Sequence, residues 1–263
     1  MSAFRPDLMR DKVVFVAGGT SGINLGIAQR FAELGAKLAV VGRNHDKAQR
    51  AAASISSEAL AYAADVRDYT AIRTVLADAA DKLGALDIVV SGAAGNFLAP
   101  TLGMSANAFK TVVDIDLNGT FNVFRACHEF LNLPGASLIA ITAGQAVNAM
   151  PLQAHACAAK AGINQLIRVM AMEWGPDVRV NGISPGPIAN TEGMARLAPN
   201  EATRDAHFAR IPLKRWGEIN EVAEAAVFLS SSSASYITGT ILDCDGGSQL
   251  GDASRINLDR GLA

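Results

Sequence analysis

The chain has 263 residues, of which 50% are hydrophobic and 6% aromatic, and its formal net charge is −2 at pH 7. This length and composition suit one large folded domain and exclude a disordered chain, and the near-neutral charge leaves no basic footprint for nucleic acid. Three widely spaced cysteines argue against disulfides and against a zinc site, so no metal is expected. We recognise no signal peptide and no membrane-spanning apolar run, so the sequence predicts a cytoplasmic protein without a membrane partner.

The first apolar run, Val13 to Ala17, has the pattern of a strand that is covered on both faces. A glycine-rich turn (AGGTSG) follows it, and apolar residues then recur at helical spacing from Ile23 to Leu34. A strand, a glycine-rich turn and a helix form the unit that places the phosphates of a dinucleotide at a helix N-terminus. Such a turn alone also fits an ordinary tight turn, so other motifs must decide between the two interpretations.

The alternation of apolar strands and amphipathic helices then repeats along the chain. Further strands are predicted at residues 37–41, 60–64, 86–90, 137–142, 178–183 and 240–243. Helices are predicted between them at residues 46–54, 70–83, 107–131 and 220–230. A further helix carries Lys160 and ends at about residue 174. This order predicts an α/β fold, a Rossmann-like doubly wound parallel sheet of about seven strands flanked by helices.

The composition does not change along the chain, so a single domain over residues 1–263 is expected. Its dinucleotide-binding half is predicted at about residues 10–105. The stretch from Asn190 to Pro212 is long and weakly periodic, which indicates a mobile substrate lid at about residues 186–215.

Several motifs resemble those of the short-chain dehydrogenase/reductase family and follow that family's order along nearly the whole chain. They are the turn glycines Gly18 and Gly22, Asp65-Val66 after the third strand, Asn118, Lys160, and the Pro185-Gly186 loop. The turn departs from the family pattern at Ala17, which replaces Thr, and at Asn24, which replaces the last glycine. Because Asn tolerates unusual backbone angles, the turn is expected to survive.

The catalytic group of this family is Asn, Ser, Tyr and Lys, and half of it is missing here. Counted back from Lys160, the Tyr position is Ala156 and the Ser position is Ala143, whereas Asn118 remains. In the family's ordinary mechanism the tyrosine is the acid that protonates a carbonyl oxygen. Since alanine cannot donate a proton, the sequence predicts a poor ketone or alcohol enzyme.

A narrower resemblance accounts for the missing tyrosine. The strings AAGNFLAP, AFKTVVDIDLNGTFNV, HACAAKAG and PGPIANTEGMARL are similar to 2,4-dienoyl-CoA reductases, above all those of the peroxisomal type, which also lack this tyrosine. The resemblance implies NADPH-dependent reduction of 2,4-dienoyl-CoA to 3-enoyl-CoA in the β-oxidation of unsaturated fatty acids. In this reaction negative charge collects on the thioester oxygen before a carbon is protonated, so the oxygen needs hydrogen-bond donors rather than an acid.

Two alternatives stay open. The first is a reductase of another enoyl or carbonyl substrate, including one on an acyl carrier protein. Gln153 counts against the carrier enzymes, because it occupies the position of their tyrosine, seven residues before Lys160. The second is a catalytically silent member of the family that binds NADP(H) or acyl-CoA.

The resemblance implies that Lys160, Asn96 and Asp116 are catalytic. Lys160 would bond the nicotinamide ribose, and a lysine on an apolar helix is costly to bury without partners. Asn96 would donate to the thioester oxygen, unless it only stabilises its turn. Asp116 would position a proton-delivering water, unless it is a structural partner of Lys160 or of a backbone group. Gln145 is either an oxyanion donor or a loop residue, and His155 is either an acid–base group or a packing residue.

Arg43 follows the second strand, where an NAD enzyme would place an acid for the ribose hydroxyl. An arginine suits a 2′-phosphate, so NADP(H) is favoured over NAD(H), with stacking of Arg43 on adenine as the alternative. The cofactor site implied by the resemblance consists of Gly18, Thr20, Ser21, Ile23, Arg43, Asp65, Val66, Ala93, Lys160, Pro185, Gly186 and Ile188.

Four residues fall on positions that contact acyl-CoA in the enzymes that this chain resembles: Arg67, Phe97, Ser105 and Arg196. Arginines suit the phosphates of CoA, although Arg67 and Arg196 also fit solvated surface charges. The long helices after the fourth and fifth strands are the surfaces through which the family forms tetramers. The resemblance therefore implies a homotetramer that acts on an acyl-CoA or acyl-carrier substrate.

Overall fold

A seven-stranded parallel sheet organises the computed structural model, which describes residues 4–191, 194 and 200–255. Its strands are β1 Val13–Ala17, β2 Lys37–Gly42, β3 Leu60–Ala63, β4 Ile88–Ser91, β5 Ala136–Ile141, β6 Val178–Pro185 and β7 Ile241–Cys244. Their order in space is β3-β2-β1-β4-β5-β6-β7. The order reverses between β1 and β4, and a doubly wound sheet binds its ligands beyond the carboxyl ends of such strands. The predicted fold class is thus confirmed.

Helices cover both faces of the sheet. They are α1 Gly22–Glu33, α2 His45–Ile55, α3 Tyr69–Leu83, α4 Ala106–Val113, α5 Gly119–Cys127, α6 Ala154–Trp174, α7 Glu201–Arg210 and α8 Ile219–Ser230. One prediction was wrong in detail, because the single helix expected over residues 107–131 is divided. A π-helical segment, Asp114–Asn118, separates α4 from α5, and a short 3₁₀ turn follows at His128–Phe130.

The strands are apolar throughout because both faces of the sheet are buried. Successive residues of β1 point to opposite faces, so Phe15 joins one hydrophobic cluster while Val14 and Val16 join the other. The Phe15 side packs against α3, α5 and α6, and the other side packs against α1 and α8. These two layers fix the ends of β1, β4, β5 and β6, which is where the site lies.

The π-helical segment alters which side chains face the sheet. Asp116, in its middle, is 1% exposed, and its backbone carbonyl accepts a 2.7 Å hydrogen bond from the Thr120 hydroxyl. Asn118, at its end, is exposed and donates to the Asp114 carboxylate over 2.9 Å. Asp116 therefore turns inward and Asn118 turns out to solvent. Such π-segments within helices are often found at functional sites.

The loop after β6 is held by the segment that precedes α8. The Ala189 N–H donates to the Gly217 carbonyl (2.8 Å), and the Gly217 N–H donates to the Pro187 carbonyl (3.0 Å). A Cβ atom on Gly217 would lie 2.8 Å from Ile188 Cδ1, so the Ile188 side chain packs directly over this glycine. Next to it, the Arg215 guanidinium donates hydrogen bonds to both carboxylate oxygens of Glu221, at 2.6 and 2.7 Å. In the region predicted as a lid, the described residues include a regular helix, α7; the lid function remains a prediction.

We expect Glu221→Gln to lower the melting temperature at neutral pH. Hydrogen bonds from the Arg215 guanidinium and from the Glu218 backbone lower the pKa of Glu221 from 4.5 to about 2. Because the pKa falls on folding, the carboxylate contributes its full stability above pH 4.5 and loses it as the pH drops through about 2. The pair is half-exposed, so its worth is about 1 kcal/mol or less, which is a shift of a few degrees at most.

Thermal melts of both proteins across a pH series measure this difference. The gap between them is expected to be constant near neutral pH and to shrink on acidification below the ordinary glutamate pKa. If the difference between the two melting temperatures widened as the pH fell, the lowered pKa of Glu221 would be contradicted.

Candidate active site

A cleft of about 1300 Å³ opens at the carboxyl ends of the central strands. Most of the residues predicted from the sequence line it: Gly18, Thr20, Ser21, Ile23, Arg43, Asp65, Val66, Ala93, Asn96, Phe97, Asp116, Lys160, Pro185, Gly186 and Ile188. Two predicted substrate contacts, Arg67 and Ser105, are not among the described residues that line it. A third, Arg196, lies outside the described residues.

The glycine-rich turn is shaped for close approach of a phosphate. Gly18 has φ +78°, and a Cβ atom there would lie 2.7 Å from the Ala93 backbone nitrogen. Gly22 has φ +57°, and, apart from its chain neighbours and the nearby backbone of its own helix, no heavy atom of the described residues lies within 4 Å of the place its Cβ would take. This open space lies at the first residue of α1, where free N–H groups attract an anion. The turn therefore fits the diphosphate of a dinucleotide.

Asn24 preserves the turn for a different reason from the one expected. It lies inside α1 with helical geometry, so it needs no unusual backbone angles. Its side-chain N–H₂ donates to the Gly92 carbonyl over 2.8 Å, across the gap to the end of β4. A Cβ atom on Gly92 would lie 2.3 Å from the Asn24 amide oxygen. Asn24 thus fills the space that glycine leaves at position 92 and ties the turn to β4.

Two cations mark one end of the cleft. Arg43, which follows β2, lines it, as does Lys47 on α2, whose ammonium donates to the Ser21 hydroxyl over 3.0 Å. Sequence reasoning missed Lys47, although its place one helical turn after Arg43 is a signal that could have revealed it. A hydrogen bond from Arg67 holds the pKa of Asp65 below its ordinary value, and the charge of Arg43 adds to the effect. The Arg67 guanidinium forms an ion pair with the Asp65 carboxylate beside the cleft, with 2.6 Å between Nη2 and Oδ2.

The centre of the cleft holds a buried ion pair. Lys160 on α6 is 8% exposed, and its ammonium lies 3.2 Å from Asp116 Oδ2 and donates to the Ile141 carbonyl over 3.1 Å. The other oxygen of Asp116 accepts the Gly95 backbone N–H over 2.7 Å. Asp116 is therefore a structural partner of both Lys160 and a backbone group, and it also lines the cleft. Asn118 points to solvent, so Asp116, and not Asn118, accompanies the lysine.

Amide side chains occupy the region beside the two alanines. Ala143 and Ala156 both line the cleft, so no hydroxyl group stands at either of these positions. Asn96 Nδ2 donates to Gln153 Oε1 over 2.6 Å, and Gln145 Nε2 donates to the same oxygen over 3.3 Å. Sequence reasoning named Gln153 only as the counterpart of the carrier enzymes' tyrosine, and its contact with Asn96 was not foreseen because the two residues are 57 apart in the chain.

His155 is a packing residue in this structure. It is fully buried, and its Nδ1 accepts the Ala156 backbone N–H over 2.7 Å. Its ring meets the ring of Phe97 edge to face, with centroids 4.3 Å apart. Of these two rings, only Phe97 lines the cleft. His155 thus supports the apolar part of the site from behind.

The remaining wall comes from the loop after β6 and from the C-terminal region. A Cβ atom on Gly186 would lie 2.6 Å from the Asp245 Cα atom, so the two segments approach as closely as backbones can. Ile188 is 2% exposed and packs at the base of this wall. His207 and Arg210 of α7 complete it. The wall that includes the loop expected beneath a nicotinamide therefore combines the apolar Ile188 with the polar side chains of α7.

Comparison with known proteins agrees with this geometry. A family model described as enoyl-(acyl carrier protein) reductase matches residues 17–249, and the chain belongs to the short-chain dehydrogenase/reductase family. It is accordingly an NAD(P)-dependent oxidoreductase.

Two curated relatives are named peroxisomal 2,4-dienoyl-CoA reductase, (3E)-enoyl-CoA-producing. The one from Pongo abelii is 41% identical, over 94% of this chain and 87% of its own length. The one from Saccharomyces cerevisiae is 42% identical, over 93% of this chain and 86% of its own length. A crystal structure of a short chain dehydrogenase from Bacillus anthracis superposes with a TM-score of 0.81 at 35% identity, covering 91% of this chain and 97% of that one. Within the described part of the chain, no helix is both long and apolar enough to cross a membrane.

We expect Asp116→Ala to destabilise the protein strongly. The substitution leaves the Lys160 ammonium without its carboxylate and the Gly95 N–H without its acceptor, and removing one partner of a buried pair costs about 3–5 kcal/mol. Asp116→Asn should cost less, because its amide oxygen can still accept from Gly95. Urea denaturation measures both free energies of unfolding. Losses below about 1 kcal/mol for both variants would show that the pair does not hold the site together.

Proposed function

We propose that this protein reduces 2,4-dienoyl-CoA to 3-enoyl-CoA with NADPH. One observation carries the proposal: amide donors and a buried Lys160–Asp116 pair surround a position where the family's tyrosine is replaced by Ala156. Such a site can stabilise a negatively charged oxygen but has no hydroxyl acid there to protonate it. The names of the two curated relatives support the same substrate and product.

The residues of the cleft fit NADP(H). The glycine-rich turn and the start of α1 would hold the diphosphate, while Arg43 and Lys47 would face a 2′-phosphate. Lys160 would bond the nicotinamide ribose, and the Pro185–Ile188 loop would lie beneath the nicotinamide ring. When bound, this cofactor supplies a hydride to the substrate.

The proposed conversion of 2,4-dienoyl-CoA to 3-enoyl-CoA determines which bonds form and where the proton is added. Converting a 2,4-diene to a 3-ene forms new C–H bonds at carbons 5 and 2 and moves the remaining double bond to carbons 3 and 4. Negative charge passes through the conjugated system to the thioester oxygen, where Asn96 donates a hydrogen bond. Asp116, which lines the cleft, orients a water molecule that protonates carbon 2. Lys160 adds positive charge, which favours the build-up of negative charge on the substrate.

Phe97 supplies an apolar contact for the acyl chain, because its ring lines the cleft and is 39% exposed. Arg67, Ser105 and Arg196 stay predicted contacts for CoA. In this structure Ser105 instead caps α4, accepting from the Ala108 N–H over 3.1 Å.

A homotetramer and a cytoplasmic location complete the proposal. Exposed apolar side chains on α4, α5 and α6 support assembly through these helices: Phe109, Phe121, Val169 and Met172. Sedimentation equilibrium measures the assembly directly, and a monomer would refute it. The three free cysteines are consistent with a reducing compartment. Fractionation of the source cells tests the location.

We expect the purified protein to oxidise NADPH when 2,4-hexadienoyl-CoA or 2,4-decadienoyl-CoA is added. Lys160→Ala should reduce this rate to background, since it removes the ribose contact and leaves Asp116 buried without its partner. Loss of NADPH absorbance gives the rate, and mass spectrometry with chromatographic standards identifies the 3-enoyl product.

The absence of turnover at every chain length would contradict the proposal. Tight binding of NADPH and of acyl-CoA without turnover would instead favour a silent binding protein. Turnover of a simple ketone at a comparable rate would contradict the role assigned to Ala156.

We expect Arg43→Asp to reverse the cofactor preference. A hydrogen-bonded charge pair is worth about 1.5–3 kcal/mol, so kcat/KM for NADPH should fall by about tenfold to a hundredfold, while that for NADH stays equal or rises. Arg50→Asp is the matched control, because Arg50 is exposed on the same segment and does not line the cleft. Equal losses for both cofactors would indicate that Arg43 stacks on adenine instead.

A further inference from the structure

Gln153 connects the two amides that face the cleft beside Ala156. We infer that Gln153 is a positioning residue, which aims one N–H of Asn96 and one N–H of Gln145 at the thioester oxygen. This inference rests on the proposed function and identifies the groups that replace the missing hydroxyls. It does not require Gln153 itself to touch the substrate.

The first support is the position of Gln153 at the start of α6. It is the N-cap residue, with φ −132° and ψ 33°, a place where a side chain ordinarily accepts a backbone N–H of the helix. In the described structure the Gln153 side chain makes no such capping bond. Its oxygen accepts instead from Asn96 at 2.6 Å and from Gln145 at 3.3 Å. The polar end of Gln153 is thus directed towards the cleft.

The second support is a count of donors. A primary amide has two N–H bonds, and its oxygen has two lone pairs. Asn96 and Gln145 each use one N–H on Gln153 Oε1, so each keeps one N–H, while both lone pairs of Gln153 are occupied. Without this acceptor either amide could turn over and present its oxygen, which would repel a negatively charged thioester oxygen. Gln153 therefore determines that the N–H₂ end of each amide, and not its oxygen, faces the cleft.

The third support is the way in which three segments converge. Asn96 lies in the loop after β4, Gln145 in the 3₁₀ turn Gly144–Ala146 after β5, and Gln153 at the start of α6. The Ala99 N–H donates to the Leu152 carbonyl over 2.9 Å, which joins the first of these segments to the last. Because Ala143 and Ala156 have only methyl groups, the amide cluster has room beside Lys160. Preorganised donors of this kind stabilise charge without having to reorient during the reaction.

Gln153→Met tests the inference, because methionine has a similar length and offers no comparable acceptor. We expect kcat with 2,4-decadienoyl-CoA to fall by about tenfold to a hundredfold, since a misplaced catalytic group costs about that much. The KM for NADPH should be unchanged. Gln49→Met is the matched control, since Gln49 is an exposed helical glutamine that does not line the cleft. Circular dichroism and thermal melts establish that both variants are folded.

A double-mutant cycle with Asn96→Ala separates positioning from direct action. If Gln153 acts through Asn96, the effect of Gln153→Met on kcat should shrink several-fold in the Asn96→Ala background. An equal fold-loss in both backgrounds would show that Gln153 acts independently of Asn96, which overturns the inference.

The absorbance spectrum of bound dienoyl-CoA provides a readout that does not need turnover. Hydrogen bonds to the thioester oxygen polarise the conjugated system, so binding to the NADP⁺-loaded wild-type protein should shift its absorption to longer wavelength. Gln153→Met should bind the ligand with a smaller shift. A full shift and wild-type kcat in this variant would overturn the inference and leave the proposed function intact.

Another pair of results would refute the proposed function and leave the inference about Gln153 intact. A wild-type protein that shows the shift but no turnover, together with a smaller shift in Gln153→Met, would refute the proposed function and support the donor arrangement. A wild-type protein with neither shift nor turnover would overturn both.

Discussion

The buried contact between Lys160 and Asp116 is the interaction on which the rest of the site depends. Through it, α6 meets the π-helical segment, and the Asp116 carboxylate also holds the Gly95 backbone while the lysine bonds the end of β5 at Ile141. A charge this deeply buried is tolerated only when it is paired and hydrogen-bonded. The pair therefore joins four segments beside the cleft: α6, the π-helical segment, the loop at Gly95 and the end of β5.

This arrangement changes which chemistry the family's fold can support. A tyrosine beside the lysine would protonate an oxygen, whereas Ala143 and Ala156 leave space bordered by amides, which donate hydrogen bonds without losing a proton. A conjugated thioester needs only such donors, because its final protonation occurs at carbon. Under the proposed function, the absence of the acid and the presence of the amide cluster suit the same substrate class.

The sequence predicted the features that depend on local pattern. Strands such as β1 were visible because they are apolar on both faces, and Lys160 stood out because it is a charge on an apolar helix. The π-helical segment was missed because helical periodicity continues through it, although Asp116 itself was named as a possible partner of Lys160. The contact between Gln153 and Asn96 was missed because the two residues are 57 apart in sequence. The ion pair of Arg67 with Asp65, two residues away, was not foreseen, and the substrate contact assigned to Arg67 stays a prediction.

Isotope labelling of the product shows directly whether the protein carries out conjugate reduction of a dienoyl thioester. The protein is incubated with 2,4-decadienoyl-CoA, NADPH deuterated at the transferred position, and ordinary water, and the experiment is repeated with unlabelled NADPH in heavy water. We expect deuterium from the cofactor at carbon 5 and deuterium from the solvent at carbon 2 of a 3-enoyl product. Cofactor deuterium at carbon 3, in a product that retains the 4,5 double bond, would contradict it.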